Sequence, residues 1–410
     1  MSSYFSKNRH FWAMLFLGFS SGLPLALTNS TLQAWFTDAG VNLLTIGVLS
    51  LVGLPYIWKF LWAPVMDRFV PPFFGRRRGW IALSQIFLCA SLFFIARLNP
   101  VNQGWIIGLL ALLIAFLSAS QDIAIDAYRT DILAPEERSV GSAIFIFSCR
   151  IALLFSGGFS LILADYLGWQ TTYELMAVIL GVLVLATYWS PTIKNECLPP
   201  QNFYAAVVEP FLDLLKRDDI FLILLFIILY KIGAAFAVAL MSNFLLKGLG
   251  FSLTDVGIAY KFGGFIATIL GAFVGGLLLT RISLYRGLLF FGIAQAFSNL
   301  TFILLALVGK NYFLMFSSLF IENFCTGLST TALLVFLTSL CHQQYSATQF
   351  ACLSALDSIG RVFLGPLAAA VVLHWGWVSF YAWSFVLCFP GLIVLTLLRN
   401  KVKFNVPLAA

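Results

Sequence analysis

Two carboxylates four residues apart, Asp122 and Asp126, close an apolar run that reads Ser118-Ala-Ser-Gln121-Asp122-Ile-Ala-Ile-Asp126-Ala-Tyr128-Arg129-Thr-Asp131. On a helix that spacing puts both acids on one face. Two neighbouring carboxylates in a low-dielectric cavity resist double ionisation, so one of them keeps its proton. A carboxyl poised in this way can take a proton on one side of a barrier and release it on the other. The competing reading is a helix end, with both acids solvated or paired with Arg129 and Arg150. On the residues alone both readings stay open, and so does the choice between Asp122 and Asp126.

Other polar groups lie inside long apolar runs: Arg150, Lys231, Glu322 with Asn323, and Asp357 with Arg361. Ionisable groups at membrane depth mark solute or ion paths by default. Arg150, Lys231, Glu322, Asn323 and Arg361 are therefore candidates for touching a solute or for gating. A buried pair of Glu322 with Lys231 or Arg361 serves equally well as a purely structural contact. Lys59 and Lys261 suit side chains that snorkel to an interface. Gly22-Leu-Pro24, with Thr28 and Asn29 beyond it, points to an irregular helix. Such backbone is tolerated at membrane depth where it lines a cavity or is packed by protein. Asn29 is kept as a solute candidate; Asn29-Ser-Thr31 also fits a glycosylation pattern, by chance inside a span. No catalytic set emerges. His10, His342 and His374 lie at the terminus or near the ends of apolar runs. No Gly-rich Lys-Ser/Thr loop is present to cradle phosphates, so energy is expected from an ion gradient and no cofactor is needed. The seven cysteines include no C-x-x-C pair, which argues against zinc or a disulfide framework.

The elements that position these groups follow from composition. Of 410 residues, 61% are hydrophobic and 10% charged, and the mean hydropathy is +0.96. A soluble domain is near half apolar and a quarter charged. This chain must turn its outside to lipid. A helix needs about 20 residues to cross the hydrocarbon core. The spans expected are roughly 11–36, 43–64, 79–97, 104–128, 138–164, 170–189, 220–246, 253–279, 286–307, 311–338, 346–372 and 376–398. These runs are too long for strands. Lys7 and Arg9 ahead of the first run resemble a signal peptide, but the run continues past Pro24 to Trp35 with no clear cleavage site and reads as a retained first helix.

The fold class expected is an all-α polytopic membrane protein of about twelve transmembrane helices in two six-helix repeats. Its parts are a bundle over 1–192, a cytoplasmic linker over 193–218, a second bundle over 219–400 and a cytoplasmic tail over 401–410. With the N-terminus inside, about 16 Lys and Arg fall on the inner side and 3 on the outer side, which places both termini in the cytoplasm. The net charge of +7 is thus a topology signal and does not point to nucleic acid. The halves look alike. Arg150 precedes Gly168-Trp169 and Tyr173, as Arg361 precedes Gly376-Trp377 and Tyr381. Gly40-Val-Asn-Leu-Leu-Thr-Ile-Gly47 parallels Gly250-Phe-Ser-Leu-Thr-Asp-Val-Gly257. Six-helix repeats place a solute site at the midplane between halves, opened alternately to each side.

Between the second and third spans stand Asp67-Arg68 and Gly75-Arg76-Arg77-Arg78-Gly79. Arg76, Arg77 and Arg78 serve as positive-inside anchors on one reading. On the other, Asp67, Arg68 and this cluster form a cytoplasmic gate, with Asp67 pairing across helix ends when the site faces outward. The pattern resembles the major facilitator superfamily signature. The second-half copy, Gly276 to Arg286, lacks the acid.

At this point the chain resembles the AmpG family of muropeptide permeases within that superfamily. The resemblance is carried by Gly18-Phe-Ser-Ser-Gly-Leu-Pro-Leu-Ala-Leu27, Lys59-Phe-Leu-Trp-Ala-Pro64, Met66-Asp-Arg68, Pro71-Pro-Phe-Phe-Gly-Arg-Arg-Arg-Gly-Trp80, Ser118-Ala-Ser-Gln-Asp-Ile123, Pro135-Glu-Glu-Arg138 and Ser346-Ala-Thr-Gln-Phe350. It implies proton-driven import of N-acetylglucosamine–anhydro-N-acetylmuramyl peptides from periplasm to cytoplasm, a step in peptidoglycan recycling, across a bacterial inner membrane. It also implies functional weight on Gly22, Ala119, Gln121 and Asp122. The partners expected are the solute, protons and the lipid bilayer, with the chain acting as a monomer. Some family members carry two further C-terminal helices, whereas this chain reaches Ala410 soon after the twelfth span. Twelve spans complete two repeats; the short form equally fits a paralogue for another solute, such as a siderophore, a peptide or an acyl-CoA-like molecule.

Two other classes fit poorly. A membrane-embedded transferase would show a polar catalytic cluster near one surface and no half-to-half repeat. A receptor would carry a sizeable soluble domain, and the longest polar stretch here is Ser190–Asp219.

Overall fold

The computed structural model describes residues 9–63, 66, 69–72, 74–133, 138–192, 215–216, 219–340 and 346–399. Asp67 and Arg68 of the expected gate lie outside these, as do the tail 401–410, most of the linker 193–218 and the side chain of Asp357. The described residues are helical, without strands. In hydrocarbon every backbone N–H and C=O must find its partner within the segment, which a helix provides. Among the described residues, ten helices are long and apolar enough to cross a membrane, with mean hydropathy from 1.5 to 2.5 in their most apolar windows. Their outward side chains are apolar: Trp105, Phe221 and Phe313 are each about four-fifths exposed. The chain is a multi-pass membrane protein.

Twelve spans were expected, and the difference has two causes. The second is broken into α3 (Leu43–Val48), a 3-10 segment Leu49–Gly53, α4 (Leu54–Trp58) and a second 3-10 turn Lys59–Leu61. Gly53 weakens the helix and Pro55 removes a donor N–H, so regular α-helix does not run through. The apolar stretch Leu43–Trp58 is accordingly too short to count alone. The last two expected spans run together as Ile359–Leu398, 40 residues long. A straight helix of that length would be about 60 Å, twice the hydrocarbon thickness. Gly376, at φ 75° and ψ 178°, divides it.

The described residues fall into two compact units, one within Met1–Val41 and Val52–Gln201, the other within Asn42–Leu51 and Asn202–Ala410. In the first, α1 (Arg9–Leu27) breaks at Thr28-Asn29 and resumes as α2 (Ser30–Asp38); α5 (Arg76–Ala96) and α6 (Pro100–Ile132) follow. Then come α7 (Arg138–Leu154), a π-helical turn Phe155–Phe159, α8 (Ser160–Leu167) and α9 (Trp169–Trp189). Helices α1 and α7 meet at glycine: a Cβ on Gly22 would stand 3.0 Å from the Ala152 Cβ and closer still to the Cys149 carbonyl. Small residues let backbones approach in this way where lipid offers no hydrophobic drive.

The second unit holds α10 (Ile220–Val238), α11 (Met241–Asn243), the π-helical segments Phe244–Gly248 and Gly257–Gly263, and α12 (Leu253–Val256). It continues with α13 (Gly264–Leu279), α14 (Leu284–Val308), α15 (Tyr312–Ser339), α16 (Ser346–Val386) and α17 (Phe389–Leu398). Residues 42–51 pack here: the Ser50 hydroxyl donates to the Val362 carbonyl at 2.7 Å, and Gly47 lies against Gly365 and Ala369.

The internal repeat is written into the backbone. Gly40 and Gly250 share positive φ, 78° and 73°. Each leads into a capped helix start, Asn42 Oδ1 accepting from the Thr45 amide and Ser252 Oγ from the Asp255 amide. Gly168 and Gly376 share a second glycine-only conformation, φ 81° and 75° with extended ψ. Behind them stand matching ring clusters: Trp35 with Trp169 and Tyr173, and Phe244 with Trp377 and Tyr381.

Candidate functional site

Each unit buries one polar network, joining four helices in the first and three in the second. In the first, the Ser20 hydroxyl on α1 accepts from Gln85 Nε2 of α5 at 2.8 Å and from Gln121 Nε2 of α6 at 2.9 Å. The Thr187 hydroxyl of α9 donates to Gln85 Oε1 at 2.8 Å. One residue further along α1 and α6, the Ser21 hydroxyl donates to Asp122 Oδ1 at 2.6 Å. A hydrogen bond of that length from a hydroxyl is charge-assisted, which suits an ionised carboxylate. Beside it the Ser118 hydroxyl and the Gln121 carbonyl oxygen are buried without a partner among the described residues. Polar atoms left so are costly unless water, proton or solute reaches them.

In the second unit, Lys231 Nζ on α10 donates to Ser329 Oγ at 2.9 Å and Thr330 Oγ1 at 2.7 Å, both on α15. The Ser329 and Thr326 hydroxyls approach Gln295 Oε1 of α14 at 3.5 and 3.0 Å. Thr326 also lies 2.9 Å from Glu322 Oε1, a carboxyl only 2% exposed. Glu322, Thr326 and Ser329–Thr330 follow one face of α15 at helical spacing.

The Major Facilitator Superfamily model matches residues 14–362. The anhydromuropeptide permease of Escherichia coli (strain K12) is 47% identical over 393 residues, which is 96% of this chain and 80% of that protein. A protein carrying the name AmpG 4 in Rickettsia conorii is 32% identical over 97% of the chain and 98% of its own length. The chain belongs to the AmpG family of the Major Facilitator Superfamily. Solved structures agree on the fold. The nucleoside transporter NupG superposes with a TM-score of 0.71 at 14% identity, over 95% of this chain and all of that one. The D-xylose–proton symporter does so at 0.69 and 11% identity, over 99% of this chain and all of that one.

As an AmpG-family permease the chain handles a small solute within a membrane and is no enzyme. Its expected site residues divide on the structure. Asp122 sits in the first network, whereas Asp126, half exposed, pairs with Arg129 at 3.1 Å. The shared helix face thus holds one acid bonded to a neighbouring helix and one paired within its own helix. Gln121 and Ala119 are fully buried, Gln121 as a bridge to Ser20 and Ala119 as packing. Gly22 is a helix-contact glycine against α7. Asn29 is exposed at the break between α1 and α2, and Arg150 and Arg361 are exposed. Lys231 and Glu322 meet in the second network. Asn323 turns to α13, bonded to the Leu319 carbonyl and the Thr268 hydroxyl and packed on Gly264.

At the AmpG-family arginine cluster, Arg77 pairs with Asp131 at 3.2 Å, and Arg78 donates to the Thr187 and Tyr188 carbonyls and to Thr192 Oγ1. Arg78 thereby caps the last turn of α9, where a cation meets the negative end of the helix dipole. Arg76 is buried beside them. Lys261 lies over the Tyr260 ring at 4.3 Å. Residues missed from sequence are Ser20, Ser21, Gln85 and Asp131 in the first unit and Gln295, Thr326, Ser329 and Thr330 in the second. Gln85 and Gln295 carried a usable signal, each standing forty-five residues after the matched glycine, Gly40 or Gly250.

Proposed function

We propose that this chain imports anhydromuropeptides across a bacterial inner membrane for peptidoglycan recycling, by proton-coupled alternating access of two bundles. The observation that carries the solute is the 47% identity to the Escherichia coli anhydromuropeptide permease over nearly the whole chain. Proton coupling is assigned to Asp122, whose carboxylate accepts from Ser21 in a part-buried contact between α1 and α6. Taking up a proton removes the charge that the Ser21 hydroxyl meets, and so loosens the contact between α1 and α6. Asp126 has its charge met by Arg129 in reach of water and is not assigned this work. No cofactor is required beyond the proton gradient, and the chain works as a monomer. The bias of Lys and Arg toward the loops expected inside supports cytoplasmic termini.

The test is uptake of a labelled anhydro-disaccharide peptide into vesicles with and without a proton gradient. Accumulation that collapses with a protonophore is expected. Accumulation indifferent to it removes the coupling, and preferential uptake of another solute in competition removes the muropeptide assignment.

A further inference from the structure

One hydroxyl in the second network stands between two oxygens of acceptor groups. Thr326 Oγ1 lies 2.9 Å from Glu322 Oε1 and 3.0 Å from Gln295 Oε1. A hydroxyl carries a single proton, and neither an amide carbonyl nor an ionised carboxylate has one to give. With Glu322 ionised, Thr326 donates to one of these oxygens and turns its lone pairs to the other. A proton on Glu322 removes the conflict: the carboxyl donates to Thr326 Oγ1, and Thr326 donates to Gln295 Oε1. Turning the Gln295 amide over only moves the conflict. Gln295 Nε2 now faces Ser298 Oγ at 3.4 Å, and the Ser298 proton goes to the Gln295 backbone carbonyl at 2.7 Å. The turned amide oxygen would meet a hydroxyl with no proton left for it. Ser329 does not resolve it either. Its hydroxyl accepts from Lys231 at 2.9 Å and lies 3.2 Å from the Thr326 carbonyl and 3.5 Å from Gln295 Oε1. Donated to Gln295, the Ser329 proton would still leave the shorter Thr326 contact without one.

We propose that Glu322 carries a proton in this conformation and is a second proton-carrying acid of the permease, besides Asp122. Burial favours the neutral form, because a carboxyl 2% exposed costs far more to hold charged than uncharged. When the proton leaves to water, the Thr326 proton turns from Gln295 Oε1 to the new carboxylate. The bond from Thr326 of α15 to Gln295 of α14 is then lost, and return of the proton restores it. The state of Glu322 thereby decides whether Thr326 ties these two helices. The surrounding elements bring further charged and titratable groups: Lys231 on α10, and Tyr260 with Lys261 on the π-helical segment Gly257–Gly263. Cys325 lies on α15 itself, and α16 carries Asp357, Arg361 and Tyr381. This assignment deepens the proton-coupled reading and rests on it.

The test uses the full chain in lipid. Infrared difference spectra of the purified wild type at neutral pH are expected to show the carbonyl band of a protonated carboxylic acid, and Glu322→Gln should lose that band. Thr326→Val removes the hydroxyl that receives the proton, so the band should move; this variant supplies the answer if Glu322→Gln fails to insert. In proteoliposomes loaded with a pH dye, protons entering per labelled anhydro-disaccharide peptide should fall by half in Glu322→Gln, one of two acids being gone. Exchange of labelled for unlabelled solute should persist. No such band in the wild type, a band unchanged in Glu322→Gln, or one that stays in place in Thr326→Val overturns the protonated carboxyl. A band lost with the proton count per solute unchanged makes Glu322 structural and leaves the coupling through Asp122 standing. A wild type that moves the solute without protons overturns the coupled reading and this assignment together.

Discussion

The Ser21 hydroxyl donates to Asp122 Oδ1 across 2.6 Å, joining the first span to the fourth inside the first unit. If that carboxyl carries the proton, Asp122→Asn abolishes accumulation against a gradient. Exchange of labelled for unlabelled solute, which needs no net proton movement, persists. Ser21→Ala weakens accumulation by roughly tenfold, as expected for one charge-assisted hydrogen bond. Asp126→Asn leaves protonophore-sensitive uptake in place. Equal losses for Asp126→Asn and Asp122→Asn would show that the exposed acid shares the work.

Gly22 is the place where α1 touches α7. A methyl there meets Ala152 Cβ at 3.0 Å and the Cys149 carbonyl more closely. Gly22→Ala should therefore cost about 1–3 kcal/mol of stability through overpacking and lower the melting temperature in detergent. If instead the melt is unchanged while solute affinity falls, Gly22 lines the solute path after all.

Arg77 and Asp131 form a partly buried pair at 3.2 Å, with side chains 14% and 22% exposed. A double-mutant cycle of Arg77→Ala and Asp131→Ala, followed by thermal or chemical unfolding, should return a coupling of about 1 kcal/mol. Arg78→Ala, which frees the last carbonyls of α9, should be the more damaging of the two arginine substitutions because those acceptors are then unmet. A coupling of zero would assign Arg77 to membrane orientation alone.

Gly168 and Gly376 hold φ near +80° with extended ψ, a region essentially closed to side chains. Gly168→Ala and Gly376→Ala should each cost about 1–3 kcal/mol, and by similar amounts, since the repeat gives them the same task. A large effect at one and none at the other would break that equivalence.

Membrane crossing was legible in the sequence because it depends on composition and length alone. Lipid cannot hydrogen-bond to backbone, so an apolar run of sufficient length has to close its own N–H and C=O groups into helix. The glycine pairs Gly40 with Gly250 and Gly168 with Gly376 were legible for a similar reason, since each demands a local conformation that other residues resist. Partnerships were not. Ser20 with Gln85 and Gln121, Arg77 with Asp131, Ser21 with Asp122 and Lys231 with Thr330 depend on how each helix is rotated about its axis. That rotation is set where glycines such as Gly22 let neighbouring backbones meet. Packing also gave Asp122 and Asp126, which spacing alone had placed together, different partners: Ser21 of α1 for the first, and Arg129 with water for the second.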